Sequence, residues 1–465
     1  MSAETPSVAA DLIGIDALGS DGPYRTRNRE VILSTAGVPV GELSIVPPLY
    51  VSRTIGAQRK VRPLPLARRE AALAEAAHLF ATSVIGGLDF DGYVELVSRI
   101  SGLPIAVTRA GARSVADAVA HAVDAVRPAR PVGAALDWRE ERTRDGAAIW
   151  ARRGEVFAVH AAGNGPGVHG LWPQALALGY RVAVRPSRRE PLTGHRLVNA
   201  LRQAGFRDED AVYLPTDHAG ADEIIRSADL AMVYGGQDVV DKYAGDPTVV
   251  VNGPGRTKIL ITADRDWRDY LDLIVDSIAN LGGMACVNTT AVLYEGDPAP
   301  LAAAIAERLA AIEPLTSEDE RAILPTQPIE KARALADHLA LKAAGSTALL
   351  GADQVVAPLG DGYAALRPGV HLLAEPDTDK LNVELPFPCV WVSAWSRARG
   401  LAPLRNSLVI NAISGDDDLI DDLLAEPTIA NVYRGNHPTY YGAPEIPHEG
   451  FLADVLMRNK GFIRD

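Results

Sequence analysis

The chain has 465 residues, 47% hydrophobic and 23% charged, which is too long for one ordinary domain and excludes a disordered or fibrous protein. Its 46 Lys+Arg against 59 Asp+Glu give a formal charge of −13, the wrong sign for a surface that tracks phosphates, so nucleic acid is not expected as a partner. Two cysteines, Cys286 and Cys389, are too few for a disulfide framework or a cysteine-based zinc site and suit a reduced cytoplasm; no metal site, leader peptide or membrane span of about 18 apolar residues is read.

In chain order, short β-branched runs such as Val31–Ser34 and Leu43–Val46, closed by Pro47-Pro48, predict extended structure over the first sixty residues. From Leu66 an alanine-rich pattern repeating every three to four residues predicts three helices, running through Asp89–Ile100 and the stretch 114–126. Pro128 and Pro131 close that section, and Ala134–Val159 reads as a protruding hairpin about Arg144-Asp145-Gly146. After Glu155 strand, turn and helix alternate: VFAVH, a glycine-rich turn, a helix about Trp172–Leu178, RVAVRP, a helix Thr193–Ala204, AVYLP, a helix Ala221–Ser227, then LAMVYGG. Such alternation predicts a parallel sheet with helices on both faces. A second α/β stretch starts at Lys258 and passes through a helix Asp266–Asn280, in which Trp267, Leu271, Ile274, Val275 and Ile278 share one face. It then meets Cys286 and the strand TTAVLYEG. Helices Leu301–Ile312 and Ile329–Ala343 and the strands VWVSA, SLVINA and IANVY follow, with the acidic run Asp416–Asp418 as a solvated helix start.

Two motifs each admit two readings. Gly165-Pro166-Gly167-Val168-His169-Gly170 matches G-x-G-x-x-G between a strand and a helix, the setting in which backbone N–H groups cradle a dinucleotide, but also that of a simple tight turn. Where an acidic ribose ligand would follow the next strand stand Arg185, Arg188 and Arg189, which suit a 2′-phosphate and therefore NADP. Cys286 lies behind Gly282-Gly283 between a helix and a strand, where backbone can approach the sulfur, and reads as a nucleophile or as a small core residue. Cys389 opens an apolar strand and reads as a buried structural thiol.

The order Asn164-Gly-Pro-Gly, Pro173-Gln-Ala-Leu, Arg185-Pro-Ser, Gly235-Gly236, Asn252-Gly-Pro-Gly, Cys286 and Glu384-Leu-Pro-Phe-Pro resembles the aldehyde dehydrogenase superfamily, most of all its acyl-CoA and acyl-thioester reductases, such as the acyl-CoA reductase of bacterial luminescence. The resemblance runs from about Ala134 to the C-terminus. It implies an aldehyde dehydrogenase-like α/β fold with two parallel-sheet domains: a Rossmann-like cofactor domain (1–133 and 156–252) and a catalytic domain (253–435). The segments 134–155 and 436–465 would form an oligomerisation hairpin and tail. It also implies that Cys286 is the nucleophile and that Asn164, with the Cys286 N–H, holds the oxyanion, so that the G-x-G-x-x-G match is coincidental. Arg185, Ser187, Arg188, Gly235, Gly236, Glu384 and Phe387 would hold the cofactor, with NADPH (NADP) favoured over NAD by Arg185 and Arg188.

Asn252 stands about where hydrolytic members carry the glutamate that activates water, and an amide cannot take that proton. Met284 replaces the family's usual glutamine. By resemblance the chain is then an NADPH-dependent reductase of an acyl thioester, on coenzyme A or a carrier protein, working in the cytoplasm as a homodimer or homotetramer. Two alternatives stay open: oxidation of an aldehyde to an acid or thioester, with Glu445 or Glu449 supplying the base, and a cofactor-free cysteine acyltransferase or hydrolase using His160 or His169. The tail would pass the substrate entrance, with Tyr440, Tyr441 and Phe451 as candidate pocket residues, and end in a strand joining another subunit's sheet.

Overall fold

Strands buried on both sides read as continuous apolar runs, and the computed structural model, which describes residues 12–360 and 362–465, builds two seven-stranded sheets from them. The first eleven residues, on which the expectation of no leader rests, lie outside the described residues. The first sheet orders Val249–Asn252, Leu230–Tyr234, Val156–His160, Arg181–Arg185 and Ala211–Tyr213 in parallel, then adds Ala17–Gly19 and Gly22–Tyr24 antiparallel. Alternate residues serve opposite faces: Phe157, Val159, Val182 and Val184 join one core, and Val156, Ala158, Ala183 and Val212 the other. The chain runs outward from Val156–His160 in one direction and returns to its other side at Leu230–Tyr234. That reversal opens a crevice at the carboxyl ends of these two strands, the usual ligand position in such sheets.

The second sheet orders Thr347–Leu350, Gly369–Leu372, Cys389–Ala394, Thr289–Tyr294, Thr257–Ile261, Ser407–Ile413 and Ile429–Arg434, all parallel except the first. Only Gly253–Arg256 separates the last strand of the first sheet's parallel set from Thr257–Ile261, so the carboxyl edge of one sheet faces the amino edge of the other. Cys389 is buried in the second core, as its apolar strand predicts.

Three local expectations are corrected. The extended run does end before Pro47-Pro48, but the extended structure expected over the first sixty residues gives way there to a helix, Pro48–Gln58, because proline at a first helical turn loses no hydrogen bond. The helix expected over Asp266–Asn280 is a 3₁₀ turn at Trp267–Tyr270 followed by an α-helix at Leu271–Ala279. The hairpin about Arg144 is absent: Glu141–Thr143 forms a 3₁₀ turn, and Ala147–Arg152 pairs antiparallel with the C-terminal strand Met457–Phe462 of the same chain. The acidic run behaves as expected, with Asp416 capping the helix Asp417–Ala425 through the Leu419 N–H. No helix among the described residues is long and apolar enough to cross a membrane.

Candidate active site

Cys286 sits on the loop that leads from the helix Leu271–Ala279 into the strand Thr289–Tyr294, at the amino edge of the second sheet. Two glycines let neighbouring backbone close on this loop. A Cβ at Gly283, where φ is +63°, would lie 2.4 Å from the Pro388 nitrogen, and one at Gly255 would lie 1.8 Å from the Cys286 carbonyl oxygen. The same carbonyl accepts from Thr257 Oγ1 at 2.9 Å, so the linker between the sheets grips the nucleophile loop directly.

The thiol is half-buried at the junction of two cavities. One, of about 510 Å³, runs along the mouth of the first sheet past Gly235, Gly236, Asn252, Gly255, Arg189 and Glu384. The other, of about 210 Å³, lies among Leu103, Val107, Val168, Leu171 and Leu281. Asn164, Val168, Tyr234, Cys286 and His448 border both.

Asn164 is where the motif order puts it, beside the sulfur; its Nδ2 donates to the Met284 carbonyl at 3.2 Å and keeps a second N–H free, while its Oδ1 has no partner. The backbone N–H groups of Cys286 and Val287 point at the sulfur and favour the thiolate. Burial outweighs them and pushes the thiol pKa up, with the Glu384 and Glu449 carboxylates adding to the effect.

The tail brings a histidine to the site and a carboxylate close behind it. His448 Nε2 lies 3.2 Å from Cys286 Sγ, and burial lowers its pKa, so the ring is neutral and can accept the thiol proton. Glu449 accepts the Gly253 N–H at 2.8 Å beside Asn252, and its second oxygen accepts no hydrogen bond and lies 3.9 Å from His448 Nδ1. Burial, countered by that N–H and reinforced by Glu384, raises its pKa to about 7. The tail is held in place by the Asn411 amide donating to the His437 carbonyl at 2.7 Å and by the Asn431 amide donating to the His448 carbonyl.

Asn252 is an amide that borders the groove, and Glu449, one of the two candidates in the oxidation alternative, lies behind it on the Gly253 N–H. His160 and His169 are not bases for Cys286. His169 is fully buried and accepts from Trp172 Nε1 at 3.1 Å, and burial holds the pKa of each at about 3. His448 was missed because nothing in its local sequence distinguishes it; a His-Glu pair between Pro447 and Gly450 in a turn-rich tail is the only signal.

On the groove side, Glu384 accepts the Gly255 N–H at 3.0 Å and is held above the usual carboxylate range by burial. Phe387 does not border the groove: it is 1% exposed in the second core, and Leu385 and Pro386 line the groove instead. Arg185 ends its strand with an unpartnered Nε, Ser187 Oγ accepts the Arg189 N–H at 3.2 Å, and exposed Arg188 pairs with Glu30 at 3.1 Å. None of these three borders the groove, whereas Arg189 does. Tyr440 donates to Asp276, the Tyr441 carbonyl accepts from Tyr433, and neither these tyrosines nor Phe451 line a cavity at Cys286, which corrects their reading as pocket residues.

A strand-reversal crevice of the kind that holds dinucleotides thus meets a half-buried cysteine with an imidazole 3.2 Å from its sulfur. The sequence profile of the aldehyde dehydrogenase family matches residues 51–394. The chain is 26% identical to N-succinylglutamate 5-semialdehyde dehydrogenase 2 of Caulobacter vibrioides over 95% of its own length and 92% of that protein's. Its fold is similar to P. syringae AldA indole-3-acetaldehyde dehydrogenase (TM-score 0.82, 15% identity, 97% of this chain and 96% of that one). It is also similar to an NAD-dependent aldehyde dehydrogenase from Sinorhizobium meliloti (TM-score 0.81, 18% identity, 97% and 94%). The chain belongs to the aldehyde dehydrogenase family.

Proposed function

We propose that the protein oxidises an aldehyde to the carboxylic acid with a nicotinamide cofactor, through a covalent intermediate on Cys286. The observation that carries this reading is His448 Nε2 at 3.2 Å from the thiol with Glu449 next to it in the chain, bonded to the Gly253 N–H and close enough to raise the thiol pKa, since a site that only exchanged thioesters would need no such buried carboxylate. The relatives named above are aldehyde dehydrogenases, and AldA is described in complex with NAD+.

The groove residues fit such a cofactor. Gly235 and Gly236 leave the strand end open, Glu384 offers a buried carboxylate for ribose hydroxyls, and Arg189 brings a cation to the groove wall. Bound there, the nicotinamide supplies the hydride acceptor. The chain's own residues do the rest. His448 Nε2 takes the thiol proton as Cys286 Sγ bonds to the carbonyl carbon, and the alkoxide that forms is met by the free Asn164 N–H and the Cys286 and Val287 N–H groups. Once the carbon has lost hydride, the thioester carbonyl occupies the same donors. Glu449 accepts a proton from water as the oxygen adds to that carbon, and the C–S bond breaks to release the acid and restore the sulfur.

NADP is the proposed preference, supported by Arg185, Arg188 and Arg189 clustering beyond the strand end; NAD remains the comparison cofactor in the test. The chain is further proposed to form a homodimer or homotetramer through the ribbon of Ala147–Arg152 and Met457–Phe462, beside which Val132, Trp138 and Ile463 are exposed.

The test follows absorbance at 340 nm with aldehyde and either cofactor, without added thiol, and assays the acid. Oxidation to the acid, lost in Cys286→Ala, is expected. Turnover that appears only when an acyl thioester is reduced, or when a thiol acceptor is present, would restore the reductase reading and overturn this one.

A further inference from the structure

The cavity of about 210 Å³ on the side of Cys286 away from Glu384 has walls of Leu103, Val107, Pro166, Val168, Leu171 and Leu281. Among the described residues that line it there is no Asp, Glu, Lys or Arg. Its polar groups, Asn164, Tyr234 and His448, all stand where it meets the sulfur, and the Tyr234 hydroxyl is already turned to the Val168 carbonyl at 3.3 Å. A substrate carbonyl would therefore meet donors at one end, and everything beyond it would meet hydrocarbon.

We infer that the substrate is an uncharged aldehyde with an apolar body somewhat larger than a benzene ring, an aromatic or a six- to eight-carbon chain. This rests on the oxidation reading above. Size and polarity set the class together. An apolar cavity of about 150 Å³ admits benzene, so this one takes a ring with a short arm or a chain of similar bulk. A second carboxylate on the substrate would enter this cavity with no cation to pair it, and an unpaired buried charge is among the most costly groups to desolvate. Each methylene moved from water into the cavity instead raises kcat/KM about three- to fourfold until the space is full.

Gly111, on the helix Ile105–Ala120, provides a probe remote from the chemistry. A Cβ there meets Pro166 at an ordinary 3.5 Å, so Gly111→Ala fits, whereas Gly111→Leu sends its branch into the cavity. The experiment compares kcat/KM for propanal, hexanal, phenylacetaldehyde and succinic semialdehyde in wild type and both variants. In parallel, acylation of Cys286 by p-nitrophenyl hexanoate and by p-nitrophenyl hydrogen succinate is followed by nitrophenolate release, which needs no cofactor.

Hexanal and phenylacetaldehyde are expected to exceed propanal and succinic semialdehyde by at least tenfold, and hexanoate to acylate faster than succinate. Gly111→Leu should erase the advantage while sparing propanal, with Gly111→Ala near wild type. A flat series, or preference for the carboxylate-bearing aldehyde or ester, overturns the assignment. If no aldehyde is oxidised, the oxidation reading fails while the ester pair still decides the cavity's preference.

Discussion

Cys286 is a thiol that its surroundings keep protonated: burial and two carboxylates raise its pKa, and a neutral imidazole 3.2 Å away is the group that can relieve it. Activation therefore belongs to the encounter with substrate rather than to a standing thiolate, and Cys286 should alkylate slowly with iodoacetamide at pH 7 in the free protein. Losing one oxyanion donor costs about 2.7–4 kcal/mol in enzymes where it has been removed, so Asn164→Ala should lower kcat on the order of a hundredfold or more with little change in folding. Glu449 makes a prediction with two opposite signs. Its pKa of about 7 means that it is a base only above that pH, so acid release in wild type should rise through pH 7, and Glu449→Gln should flatten that limb and lower the plateau. A carboxyl whose folded pKa is raised contributes stability at low pH and loses it as pH rises through about 7; the glutamine, still able to accept the Gly253 N–H, should thus raise the melting temperature above pH 7. Cys286, Asn164 and Glu384 were legible in the sequence because each stands in a motif whose order is fixed by the fold. His448 was not, because its approach to the sulfur depends on a path through irregular tail that no periodicity encodes, and Phe387, read with the Glu384-Leu-Pro-Phe-Pro motif, packs in the core three residues beyond Glu384 while Leu385 and Pro386 take the groove.

Among the elements, the parallel strands were read well, since unbroken apolar runs between turn signals leave little else for them to be. What failed were partners and starts. A strand pattern at Ala147–Arg152 tells that the segment is extended but not which segment it pairs with, and its partner lies some 300 residues on, at Met457–Phe462. Pro47-Pro48 does terminate the extended run, but the second proline is tolerated at a first helical turn, and the helix it opens, unread in the sequence, packs Val51 and Ile55 against the first sheet. The nucleophile loop is the element most exposed to a single change. Gly283→Ala would combine a positive φ with a Cβ inside the Pro388 backbone, so it should lower stability by a few kcal/mol and displace Cys286. Denaturant midpoints together with the rate of Cys286 acylation by p-nitrophenyl acetate would show both losses in one protein.

Across the whole molecule, the tail ties distant parts together. It leaves the second sheet after Ile429–Arg434, delivers His448 to the cleft and Glu449 to the Gly253 N–H, and ends as a strand against Ala147–Arg152, where Arg464 donates to Thr143 Oγ1 at 2.9 Å. An isolated two-stranded ribbon is marginal in water, and the outer edge of Met457–Phe462 pairs with no other described strand. Trp138→Glu with Ile463→Asp should therefore shift the proposed oligomer to monomer in analytical ultracentrifugation while the far-ultraviolet spectrum is kept. Deleting residues 458–465, none of them buried, keeps Leu452, Ala453, Leu456 and Met457 in the first core and should leave both seven-stranded sheets folded yet reduce kcat at least tenfold, because the segment carrying His448 loses the strand that anchors it. The same anchor bears on how the protein is handled at the bench. An affinity handle fused after Asp465 would be appended to the strand that secures His448, so a weak preparation carrying one there would report on the handle; an amino-terminal fusion leaves that end of the machine untouched.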